Sequence, residues 1–85
     1  MPTLLQLFGF RFYIYSEEHE PIHVHVDYGD GWAKIELDPT VRLVENHGMK
    51  QREIKKVVGL AELYQEEFIA CWKEYFKNGR NGKNN

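Results

Sequence analysis

His19-Glu20-Pro21-Ile22-His23-Val24-His25-Val26-Asp27 decides how this chain is read. From Ile22 onward apolar and polar residues alternate strictly. That period of two marks a strand buried on one side. Successive side chains point to opposite faces of a sheet. Ile22, Val24 and Val26 therefore go to a core, and His23, His25 and Asp27 share the other face. Pro21 can open a strand but not sit in its middle, which starts the strand near Ile22.

Downstream, Gly29-Asp30-Gly31 has the residues of a tight hairpin turn. Trp32-Ala33-Lys34-Ile35-Glu36-Leu37-Asp38 alternates again and ends at Pro39. With Gly29-Asp30 as a two-residue turn, Tyr28 faces Gly31, Asp27 faces Trp32, His25 faces Lys34 and His23 faces Glu36. Val41 to Val44 reads as a further short strand, and Asn46-His47-Gly48 as a loop. Upstream, Leu4 to Phe8 is an apolar run. Phe10 to Tyr15 alternates, with Phe10, Phe12 and Ile14 inward and Arg11, Tyr13 and Tyr15 outward. Gly9 suggests a bend or bulge between these two pieces. Ser16 to Pro21 is polar and reads as a loop.

From Lys50 to Phe76 the period changes to that of an amphipathic helix. Ile54, Val57, Val58, Ala61, Tyr64, Phe68, Cys71, Trp72, Tyr75 and Phe76 recur at spacings of three and four. A single straight helix would be roughly 40 Å long at 1.5 Å per residue and would overhang the strands. Gly59 weakens the helix, and a second helix starting near Tyr64 would place acids at its N-terminus and bases at its C-terminus. The expectation is two helices or one kinked helix. Strands followed by helices give an α+β domain. It is expected to hold an antiparallel sheet of four or five strands, with the helices packed on one face and the opposite face open. Residues 1–77 form this single domain. Residues 78–85, which include no apolar side chain, are expected to be a disordered polar tail.

The chain has 85 residues and a net charge of -2, with 42% hydrophobic and 28% charged residues. Such a chain buries only about 60% of the surface its unfolded form exposes, so its stability is modest. Non-specific nucleic-acid binders are usually basic overall, so a net charge of -2 sets that reading at a disadvantage unless a local basic patch supports it. One cysteine, Cys71, excludes an intrachain disulfide and fits a reducing cytoplasm. In its apolar pattern beside Trp72, Cys71 reads as a small buried hydrophobe. No signal peptide is expected, since the start lacks a basic region and a small-residue cleavage site. No apolar run is long enough to span a membrane.

The outward face gathers His23, His25, Asp27, Trp32, Lys34 and Glu36, with Arg11, Tyr13 and Tyr15 beside them. It has four readings. It can be a plain solvated sheet face. It can be a surface for a partner protein or RNA anchored by Arg11, Tyr13, Tyr15, His23, His25, Trp32 and Lys34, because Tyr, Trp and Arg anchor interfaces and aromatics stack bases. It can be a metal-independent ribonuclease site, with His23, His25, Lys34 and Glu36 moving protons. It can be a metal site, with His19 or Asp27 joining His23 and His25. The leading expectation is binding, with no cofactor and no metal. The basic run Lys50, Arg52, Lys55 and Lys56 reads as a solvated helix face, and it leaves room for a phosphate or an acidic partner.

Met1-Pro2-Thr3, Gly9-Phe10-Arg11-Phe12, the His-Glu-Pro-x-His-Val-His-Val string of residues 19–26, and Trp72 with Phe76 carry a resemblance. Over about residues 1–77 the chain is similar to a small bacterial family catalogued as domain of unknown function four-one-six-zero. Ile22 stands where family members usually have a second proline, while the histidines are kept. Genes of the family often lie beside another small domain, in pairs like toxin–antitoxin modules. The resemblance therefore implies a small partner protein from a neighbouring gene and leaves open which member is the toxin. A homodimer and any catalytic activity stay open as well.

Overall fold

The computed structural model describes residues 3–14 and 21–84, with side chains as far as Lys77. Five strands form one antiparallel meander in the order β1-β2-β3-β4-β5. They are β1 (Thr3–Leu7), β2 (Phe10–Tyr13), β3 (His23–Tyr28), β4 (Gly31–Glu36) and β5 (Arg42–His47), followed by α1 (Gln51–Leu63) and α2 (Gln65–Asn84). This is the α+β architecture that the alternation implied.

The register between β3 and β4 follows from the turn chemistry. His23 faces Glu36, His25 faces Lys34, Asp27 faces Trp32 and Tyr28 faces Gly31. Gly29 adopts φ 57°, the left-handed geometry this two-residue turn needs at its first position. The β1–β2 connection differs from the expected bend. Phe8 and Gly9 both have positive φ, 54° and 85°, and Leu7 pairs with Phe10, so the two pieces are a tight hairpin. Positive φ at both central positions is the type I′ pattern, whose twist matches that of the flanking strands. The irregularity in this strand pair lies between Thr3 and Leu5 instead. β5 also runs farther than Val41–Val44. It extends to His47, and the Asn46 side chain brackets Met49, donating to its carbonyl and accepting from its N–H at 3.0 Å each.

The helices break at Tyr64, where φ is -105° and ψ 15°. Gly59 stays inside α1. Backbone bonds from Tyr64 N–H to Leu60 and from Phe68 N–H to Tyr64 carry the ladder across the break. The Gln65 side chain donates to the Leu37 carbonyl at 2.7 Å, tying the start of α2 to the end of β4. α2 continues to Asn84.

One core joins the sheet to the helices. Phe12, Val24, Val26, Ala33, Ile35 and Leu37 meet Val57, Ala61, Phe68, Trp72 and Phe76. The Phe12 and Phe68 rings lie 5.2 Å apart across the layers. At about 25 cal/mol per Å2 of apolar area buried, this layer is the main source of stability. Cys71 does not belong to it. Phe68, Trp72 and Phe76 turn inward along α2, and Cys71 lies on the flank of that stripe, exposed. No helix among the described residues is long and apolar enough to cross a membrane.

Candidate functional site

On the sheet face away from the helices, four rings form a ladder across four strands. Tyr13 of β2 and His25 of β3 are direct partners, their ring centroids 5.6 Å apart. His25 stacks with Trp32 of β4 at 5.7 Å. Trp32 faces His47 of β5, and these rings stack at 4.2 Å with planes 15° apart. The ladder exists because residues directly opposite or diagonal on one face of an antiparallel sheet lie within reach of aromatic side chains.

Each end of the ladder is held by charge. The Arg11 guanidinium lies 4.6 Å from the Tyr13 ring centroid, over its face, and Arg11 Nε donates to Thr3 Oγ1. The Tyr13 hydroxyl donates to Asp27 Oδ1 at 3.1 Å, and Arg11 reaches the other carboxylate oxygen at 3.7 Å. At the far end His47 Nε2 donates to Glu45 Oε1 at 3.0 Å. Arg42 binds Glu36 Oε1 through Nε at 3.0 Å and through a terminal nitrogen at 2.9 Å.

Burial corrects the expectation of a uniformly open face. His23 is 1% exposed and His25 7%, and Tyr13 is also buried. Trp32, Lys34, Glu36, Arg11 and Asp27 are half-buried, and His47 is exposed. The accessible part of the ladder is therefore its β4–β5 end, with Arg11 at the opposite rim. His23 has a fixed hydrogen-bonding role. Its Nδ1 lies 2.6 Å from the Pro21 carbonyl, which can only accept, so Nδ1 carries the proton. The His23 ring also meets His25 edge-on at 5.4 Å.

The structure brings together Arg11, Tyr13, His25 and Trp32, with Lys34 opposite His25 and Glu36 opposite His23. Tyr15 and His19 lie outside the described residues. His47 is the site residue that sequence reasoning missed. Its signal was one of register: once β5 is long enough to pair beside Trp32, position 47 falls directly opposite the indole. Among the described residues no three His, Cys, Asp or Glu side chains group as a metal set.

The family model described as Domain of unknown function (DUF4160) matches residues 9–73, and the chain belongs to that family. The match spans the whole ring ladder. No curated protein and no solved structure matches the chain.

Proposed function

We propose that this chain is a small cytoplasmic binding protein, one half of a two-protein pair of the toxin–antitoxin kind. It docks its partner on the ring ladder. The observation that carries this reading is the Trp32–His47 stack, its ring centroids 4.2 Å apart, on the face that no helix covers among the described residues. Trp, Tyr and Arg supply most of the energy of interfaces when a few sit together in a rigid setting. Here Arg11 and Tyr13 are pre-positioned by Asp27 and Thr3, so little side-chain freedom remains to be lost on binding. The resemblance of the gene pairs supports a partner encoded next door.

The ribonuclease reading has less support. A general base must be reachable by the proton it abstracts. His23 is buried with Nδ1 engaged by Pro21, and Glu36 is held by Arg42.

Co-expression with the product of the neighbouring reading frame tests the proposal. The wild-type chain should co-elute with that product in size exclusion. Trp32→Ala and Arg11→Ala should lose it while melting close to wild type. RNA cleavage that persists in chelator and vanishes with His25→Ala would replace this reading with the nuclease one.

A further inference from the structure

A second surface lies on the helical side, at the tip of the β1–β2 hairpin. A groove of about 760 Å3 opens between that tip and α1. Its strand wall is Phe8, Phe10 and Tyr28, and its helix wall includes Leu60 and Gly59. Phe10 and Tyr28 stack at 4.5 Å, which makes the strand wall rigid. Arg52, Glu53 and Lys56 supply its charged side, two cations and one carboxylate.

Two residues of this groove, Phe8 and Gly59, are not the residue types that turn chemistry and helix stability select at their positions. Phe8 holds a left-handed backbone at φ 54° and leaves its ring 76% exposed. A large side chain in that region is strained, and the strain is retained at an exposed aromatic. Gly59 sits inside a helix, yet a Cβ built there would meet nothing within 4 Å. No close packing requires the glycine, and its effect is to keep the helix wall low. Beyond the groove, Leu63 stands four residues after Gly59 on α1 and is 73% exposed.

Charge identifies the occupant. Over residues 50–60 four cations, Lys50, Arg52, Lys55 and Lys56, stand against Glu53 alone. Glu53 accepts a hydrogen bond from the Lys50 backbone N–H at the start of α1. Arg52, Lys55 and Lys56 make no ion pair among the described residues. A second copy docked groove to groove about a two-fold axis would bring Arg52 and Lys56 against their own equivalents. We infer that the groove takes an acidic segment of a partner protein, which inserts one or two large apolar side chains between Phe8, Tyr28 and Leu60 and sets its carboxylates against Arg52 and Lys56. This is helix- or strand-in-groove recognition by apolar anchors with a charged rim.

Selection from a displayed library of random peptides of roughly 16 residues, on the full-length protein, tests this inference. The enriched peptides should carry net negative charge and at least one large apolar residue. Their affinity should fall about tenfold or more with Lys56→Glu, and equally with Gly59→Leu, which fills the groove. Added salt should weaken binding. Gly59→Leu should melt no lower than wild type, so loss of binding is not loss of fold. Trp32→Ala should leave peptide affinity unchanged, which separates this groove from the ring ladder. The inference is overturned by enriched peptides without acidic bias, or by peptides that bind Gly59→Leu as well as wild type. An oligouridine bound with the same dependence on Lys56 and Gly59 overturns it in favour of RNA. Self-association lost with Lys56→Glu overturns it in favour of a second copy.

Discussion

Ile35 and Trp32 stand three residues apart on β4 and face opposite ways. Ile35 is fully buried against the helices. Ile35→Ala removes methyl groups and leaves a cavity, and should cost about 2–4 kcal/mol in thermal or urea unfolding. Trp32 stacks on His47 over a half-exposed strand surface. Trp32→Ala should cost no more than about 1 kcal/mol, because no closed cavity forms. His23 stands apart from its neighbours on the ladder face. With 1% exposure and a bond to Pro21, His23→Ala should destabilise by about 2–3 kcal/mol in the same measurement. A loss under 0.5 kcal/mol would show that its burial contributes nothing. Phe8 offers the opposite test. Phe8→Asn puts a residue that tolerates positive φ at the first turn position and should stabilise by about 1 kcal/mol.

At the level of elements, two glycines make opposite predictions. Gly59→Ala replaces a helix-interior glycine where the new methyl meets nothing, and should raise stability by about 1 kcal/mol. Gly31 opens β4 against the Gly48 backbone, and a Cβ there would come within 2.9 Å of it. Gly31→Ala should therefore destabilise by about 1–3 kcal/mol through a forced backbone shift. Both can be read from midpoints in a single denaturation series. The elements also show what was legible beforehand. The β3–β4 register was readable because strict alternation and a two-residue turn leave one pairing that buries Val24, Val26 and Ile35 together. The break at Tyr64 was readable from the acids Glu66 and Glu67 that open α2. The β1–β2 hairpin was not, because phenylalanine is an unlikely residue for the left-handed turn position it occupies. β5 read too short for a similar reason. Asn46 and Gly48 are turn residues by type, yet Asn46 is the last-but-one residue of the strand and closes it through Met49.

Across the whole molecule, the sheet separates two jobs. One face meets α1 and α2 and holds the fold. The other carries the ring ladder from Arg11 to His47. Alternation assigns a residue to a face but says nothing about what lies over it. That is why His23 and His25 were placed on the correct side and still proved buried. The same limit hid His47, whose place depends on the length of an edge strand. Cys71 was misplaced because spacing locates a stripe only to within about a quarter turn, and the stripe of α2 is centred on Phe68, Trp72 and Phe76.

The two tryptophans lie on opposite sides of this division, Trp72 in the core and Trp32 on the ladder. The Trp72 indole nitrogen has no hydrogen-bond partner among the described residues, so Trp72→Phe removes an unsatisfied donor and leaves Trp32 as the sole indole reporter. The fluorescence of that variant, titrated with the product of the neighbouring reading frame, reads the ladder directly. A partner docked there should shift Trp32 emission to the blue and protect it from acrylamide quenching. Stable association with no change in Trp32 emission or quenching would contradict the account, because the partner would then be bound somewhere else.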